Sequence, residues 1–85
     1  MSDDAILTRV EAIVGAVAGP LRRPDSTGPD TPLGESGYWL DSVDLLEIVL
    51  SCEREFDVVF DPDRIAGALG TARTLADLIR SVRSP

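Results

Sequence analysis

Asp41 and Ser42 are the adjacent side chains whose types and position could do chemistry in this chain. They stand where a turn-rich segment gives way to an apolar and acidic stretch that predicts a helix. A serine at a helix N-terminus can cap the helix, an effect worth about 1 kcal/mol. It can also carry a covalently attached phosphate, because the free backbone N–H groups and the helix dipole stabilise an anion there. Asp41 can support attachment by holding a divalent cation, since such cations take carboxylate and phosphate oxygens.

The composition offers little for catalysis by the chain itself. All eight basic residues are arginines, and without histidine or lysine the commonest general bases are missing. Ser42 therefore has no base to activate it as a nucleophile, although a carboxylate pair such as Asp41 and Asp44 stays open. We predict that the protein is not an enzyme and holds no metal. Its single cysteine, Cys52, lies in an apolar helical stretch and is expected to be a small buried hydrophobe.

The net charge of −7 restricts the classes of partner. A chain this acidic should repel nucleic acid and anionic membranes and attract proteins with basic surfaces, unless the charge serves solubility alone. No apolar run is long enough to cross a bilayer, and the acidic N-terminus is unlike a signal peptide. We therefore expect a cytoplasmic monomer made of one domain over residues 1–85.

An all-α fold is predicted, because no apolar stretch that resembles a strand has a second strand to pair with. Apolar residues at three- and four-residue steps indicate an amphipathic helix over residues 4–18. A second helix over residues 42–56 is apolar around much of its circumference. Such a helix is central to the core, or presents an apolar strip to a partner, or both.

Two further helices are predicted in the last third of the chain. Residues 56–60 connect the second helix to a short third helix that runs from Pro62, with Asp61 as its N-cap, to about Leu69. The last helix is predicted to open at Thr74, with Asp77 completing a capping box. The expected architecture is a four-helix bundle with a short helix 3.

A long loop separates the first two helices. Residues 20–40 contain four prolines and three glycines, which rule out a continuous helix or a central strand. A loop of roughly twenty residues in a compact domain is usually functional or disordered. Its expected anchors to the core are Leu33, Tyr38, Trp39 and Leu40.

Several motifs follow one another in a set order. Asp41-Ser42-Val43 opens the second helix and continues as Asp44-Leu45-Leu46-Glu47. Near its end stands the Glu-x-x-Phe motif Glu53-Arg54-Glu55-Phe56, and the third helix starts with the proline–acid pair Pro62-Asp63. The closing motif is Thr74-Leu75-Ala76-Asp77. In these residues the chain resembles the acyl carrier protein family over nearly all of its length, which implies a four-helix bundle of acyl-carrier type.

The resemblance implies a function and a site. Ser42, supported by Asp41, would receive 4'-phosphopantetheine from coenzyme A through a phosphopantetheinyl transferase, and the arm would carry acyl groups as thioesters. Acyl-loading and chain-processing enzymes with basic surfaces would be the other partners. By matching positions, the partner-binding strip comprises Val43, Asp44, Leu46, Glu47, Leu50 and Glu53.

The chain departs from the family pattern in three places. Val43 replaces the commoner leucine, Arg54 stands where a third acid is often found, and two aromatic residues, Tyr38 and Trp39, precede Asp41. The aromatics are expected to pin the loop to the core rather than to contact cargo. These departures suggest a specialised carrier of a polyketide or other secondary-metabolite pathway, and a fatty-acid-like pathway stays open as well. An aminoacyl or peptidyl carrier and an unmodified acidic docking domain stay open as alternatives.

Overall fold

Four α-helices make up most of the computed structural model, which describes residues 3–19, 27–34 and 37–83. In chain order these helices are α1 (Asp3–Ala18), α2 (Ser42–Phe56), α3 (Pro62–Ala68) and α4 (Ala72–Arg83). In the described part of the chain the extended pairing is limited to an isolated bridge between Pro32 and Thr71. The predicted all-α class is therefore confirmed.

The helix ends follow local backbone chemistry. At the end of α1, Gly19 adopts a left-handed φ of 73° and donates its N–H to the carbonyl of Gly15 at 3.0 Å. Glycine favours this conformation, which satisfies a carbonyl that the helix leaves open. At the start of α3, the carboxylate of Asp61 accepts the N–H of Asp63 at 2.8 Å, and Pro62 follows the cap. The prediction of Asp61 as the N-cap of α3 is confirmed.

The predicted start of α4 was wrong. The helix begins at Ala72, and the capping box pairs Thr71 with Thr74 instead of Thr74 with Asp77. The Thr71 hydroxyl accepts the N–H of Thr74 at 3.2 Å, and the Thr74 hydroxyl accepts the N–H of Thr71 at 3.0 Å. The Thr74 hydroxyl also donates to the carbonyl of Ala68 at the end of α3, at 2.7 Å. Two threonines three residues apart can form a capping box, just as Thr and Asp can. The hydrogen bond from Thr74 to Ala68 of α3 selects the pair Thr71 and Thr74.

The core lies between α1, α2 and α4. α1 packs against α4 and α2, and α3 packs against α4. The largest side chains that are fully shielded from solvent are aliphatic, apart from the thiol of Cys52. They are Val10, Val14, Leu33, Ile48, Cys52, Leu75 and Ile79. Burial of these apolar surfaces is the main favourable term that holds the helices together.

The second half of the long loop is fastened to the junction between α3 and α4. The N–H of Leu33 donates to the carbonyl of Gly70 at 2.9 Å, and the N–H of Arg73 donates to the carbonyl of Pro29 at 2.9 Å. The Arg73 guanidinium also pairs with Asp30 at 2.7 Å. Residues 20–26 and 35–36, which belong to the same predicted loop, lie outside the described residues.

Three of the four predicted anchors of this loop are confirmed. Leu33, Tyr38 and Leu40 are buried, but Trp39 is 67% exposed, so its predicted role as an anchor was wrong. The backbone explains the difference, because Trp39 has a left-handed φ of 58° that turns its side chain away from the buried neighbours on both sides. No helix of the described residues is long and apolar enough to span a membrane.

Thr74 should contribute measurably to stability, because its hydroxyl joins two helices. We expect Thr74→Ala to lower the free energy of unfolding by about 1–2 kcal/mol, since it removes a cap and a tertiary hydrogen bond. Thr74→Ser keeps the hydroxyl and should lose much less. Urea unfolding followed by circular dichroism measures both, and equal losses for the two variants would contradict this assignment.

Cys52 should be chemically silent in the folded protein. Burial raises the pKa of its thiol from 9.0 to about 12, and the thiolate is the reactive form. We expect iodoacetamide at pH 8 to label Cys52 slowly in buffer and rapidly in urea, as measured by mass. Because the folded pKa is the higher one, the contribution of the protonated, buried thiol to stability is complete below about pH 9, its ordinary pKa, and declines as the pH rises above that value. Rapid labelling of the native protein would contradict the burial.

Candidate functional site at the start of α2

Asp41 caps α2 through a reciprocal pair of hydrogen bonds. Its backbone is extended, with φ −92° and ψ −178°, and its carboxylate accepts the N–H of Asp44 at 2.9 Å. The Asp44 carboxylate in turn accepts the N–H of Asp41 at 3.2 Å. Such a box satisfies two N–H groups that a helix start leaves open. The role of N-cap therefore belongs to Asp41.

Ser42 is the first residue of the helix and is exposed. Its hydroxyl has no hydrogen-bond partner among the described residues. The alternative in which Ser42 serves merely as the N-cap is wrong, because its neighbour already does so. The N–H groups of Ser42 and Val43 belong to the first turn, where no intrahelical acceptor exists, so they can face an anion on the serine. An exposed hydroxyl above such donors fits a phosphodiester.

α2 carries two apolar stripes on opposite faces. Ile48, Cys52 and Phe56 follow at four-residue steps and are buried in the core. The second stripe, at three- and four-residue steps, stays in water: Val43 is 71% exposed, Leu46 57% and Leu50 47%. Residues at these spacings share one face of a helix. Both sequence-based readings of this helix therefore hold, since it lies in the core and also presents an apolar strip.

The three acidic residues predicted in the partner-binding strip have different surroundings. Asp44 is part of the capping box, and Glu53 accepts the N–H of Phe60 at 3.0 Å through its carboxylate. Glu47 is exposed and has no hydrogen bond or ion pair with any described residue. Glu47 is thus the acidic residue of the strip whose carboxylate is available to pair with a positive charge on another protein.

The tie between Glu53 and Phe60 escaped sequence reasoning. It joins the last turn of α2 to the connection before α3, seven residues later, and it holds that connection next to the buried ring of Phe60. The only sequence signal was an acid placed three residues before the buried Phe56. That spacing alone does not tell whether the carboxylate faces solvent or a backbone N–H.

The comparisons with known proteins bear on what this site holds. A family model described as phosphopantetheine attachment site matches residues 11–79, which is most of the chain and includes all of α2. No curated protein and no solved structure gives a significant match. The chain therefore belongs to the phosphopantetheine attachment-site family of carrier domains, in which 4'-phosphopantetheine is a covalently attached cofactor.

Proposed function

We propose that Ser42 is the attachment residue and that this protein is an acyl carrier protein. The observation that carries the proposal is the exposed hydroxyl of Ser42, which stands at the first helical position while Asp41 supplies the cap. Acyl groups would be held as thioesters on the arm and presented to the enzymes of a fatty-acid-like, polyketide or other secondary-metabolite pathway. The net charge of −7 is the sequence feature on which we favour acyl over aminoacyl or peptidyl cargo.

The residues of this chain have limited tasks in attachment. The Ser42 oxygen would form a bond to phosphorus, the pyrophosphate bond of coenzyme A would break to release adenosine 3',5'-bisphosphate, and the hydroxyl proton would pass to a base. The chain has no histidine or lysine, the commonest general bases, and we therefore assign that base to the transferase. Asp41 accepts one hydrogen bond through Oδ1, which leaves carboxylate lone pairs that would be free to hold a divalent cation during attachment. Once attached, the arm supplies the thiol that carries the cargo.

The outward face of α2 is the surface that we propose for partner enzymes. Its apolar residues Val43, Leu46 and Leu50 have no contact that would bury them in the fold, and Glu47 lies beside them. Exposed apolar patches rimmed by charge are typical of interaction sites. A partner surface with arginine or lysine around an apolar patch would complement it. Asp44 and Glu53 add negative charge to this surface, but both also form hydrogen bonds to the backbone that stabilise the fold.

Attachment is tested directly by mass. Incubation with coenzyme A and a broad-specificity phosphopantetheinyl transferase should add one arm to the wild type and none to Ser42→Ala, which lacks the accepting oxygen. Ser51→Ala is the matched control, because Ser51 is a second serine of α2 and should not affect loading. A thiol titration of the native loaded protein should count one fast thiol, since Cys52 is buried.

Two results would contradict the attachment proposal. One is a wild type that gains no mass, and the other is a Ser42→Ala variant that is loaded as well as the wild type. If a Ser42→Ala strain keeps full pathway function, the unmodified docking domain is the better description.

Glu47 should contribute to partner encounter without supporting the fold. We expect Glu47→Gln to lower kcat/KM for loading by about 1.5- to 5-fold, which corresponds to the 0.2–1 kcal/mol of an exposed ion pair. The difference should shrink as salt is added, because exposed charges are screened over about 8 Å at physiological ionic strength. Unfolding stability should not change.

The control for this experiment has the same net charge. Ala16→Lys on the exposed side of α1 also changes the charge by one unit, away from α2. Equal effects of Glu47→Gln and Ala16→Lys would mean that overall charge, and not the α2 surface, governs the encounter. Salt-independent loading would argue against electrostatic docking altogether.

A further inference from the structure

The side chain of Trp39 is exposed to solvent, and its backbone conformation is strained. This residue is the only tryptophan of the chain, it is 67% exposed, and its φ of 58° lies in the left-handed region. For a bulky residue this conformation is an outlier that persists only where the surroundings enforce it. Strain of this kind at a prominent position points to a functional use of the side chain.

Hydrogen bonds on each side enforce this conformation. The N–H groups of Tyr38, Trp39 and Leu40 donate to the carbonyls of Pro32, Gly34 and Leu33, at 3.0, 2.9 and 3.0 Å. Tyr38 and Leu40 are buried and fix the loop to the core. The backbone of Trp39 is therefore fixed between two buried residues, while its indole side chain stays exposed. Glycine or asparagine in place of Trp39 would give an equal or higher free energy of unfolding, because both accept a positive φ.

The exposed indole lies close to the proposed attachment point. Consecutive Cα atoms are about 3.8 Å apart, so Trp39 and Ser42 are separated by at most about 11 Å. Val43 and Leu46 are the exposed apolar residues that follow Ser42. Apolar side chains thus stand on both sides of Ser42 along the chain, together with the carboxylates of Asp41, Asp44 and Glu47.

We propose that Trp39 is a binding platform for an uncharged, apolar acyl group on the arm of Ser42, an inference that rests on the proposed function. Such a group loses contact with water when it lies against the indole and Val43. Tethering gives it an effective concentration on the order of mM, so a contact with an intrinsic Kd of about 1 mM is roughly half occupied. The carboxylates around Ser42 repel a negatively charged acyl group, which sets the preference for uncharged cargo.

The fluorescence of the only tryptophan reports this contact. Wild-type protein is loaded from coenzyme A, octanoyl-coenzyme A or malonyl-coenzyme A by the transferase, and each form is verified by mass. Acrylamide quenching of Trp39 should weaken by about half in the octanoyl form, in line with half occupancy, and stay unchanged in the other two. Failure to load any form contradicts the proposed function, whereas equal quenching in three loaded forms overturns only the role of Trp39.

A pair of variants supplies a second measurement. Trp39→Asn accepts the left-handed backbone, so its Tm should equal or exceed that of the wild type. Hydroxylamine should cleave the octanoyl thioester of this variant up to about twofold faster than that of the wild type, because Trp39 shields about half of the wild-type molecules and none of the variant ones. Val59→Asn is the control, since Val59 is 84% exposed but follows the far end of α2, about 22 Å of helix from Ser42.

The outcomes separate cargo from protein binding. Faster cleavage in Trp39→Asn and unchanged cleavage in Val59→Asn support the proposal. Equal cleavage rates in the wild type and Trp39→Asn overturn it. If loading from coenzyme A slows in Trp39→Asn while the octanoyl group leaves the quenching of Trp39 unchanged, the indole contacts the transferase, and the proposal is likewise overturned.

Discussion

The reciprocal hydrogen bonds between Asp41 and Asp44 are the constraint on which the site depends. They fix where α2 begins and take up the capping role at its first turn. Ser42 is thereby placed one residue inside the helix, with its hydroxyl in solvent and the first-turn N–H groups beside it. A helix that began one residue later would make Ser42 the cap and engage its oxygen. The exposure of the Ser42 hydroxyl, on which the proposed attachment rests, is therefore a consequence of which neighbour caps the helix.

The two faces of α2 have opposite surroundings within one helix. The buried face, with Ile48, Cys52 and Phe56, is covered by the rest of the core. The outer face leaves Val43 and Leu46 exposed to water, and the fold does not gain the favourable free energy of burying their apolar surface. Hydrogen bonds at the two ends of α2 and its buried face hold the helix in place, so the fold needs no contact on the outer face. In the proposed function, this outer face is the surface that remains for partner enzymes.

The described residues of the loop before α2 show how a segment rich in proline and glycine can be tied to the fold by backbone hydrogen bonds. Its contacts run to the α3–α4 junction, where Gly70 and Arg73 bond its backbone and Thr74 closes the junction itself. Gly37 packs so closely on the carbonyl of Pro32 that a Cβ would lie 2.1 Å from the oxygen, so only glycine fits there. The strained backbone of Trp39 is maintained by this framework.

The sequence by itself determined the features that depend on near neighbours. These include the all-α class, both ends of α2, the cap of α3 and the location of Ser42, because helix periodicity and capping act over three or four residues. The tertiary structure alone decided which residues are exposed and which acids are engaged. Three features depend on contacts that reach beyond one helical turn, five or more residues along the chain. They are the burial of Tyr38 but not Trp39, the bond from Phe60 to Glu53 and the start of α4 at Ala72. Residue type and spacing do not encode such contacts, since the same pattern can face either the core or the solvent.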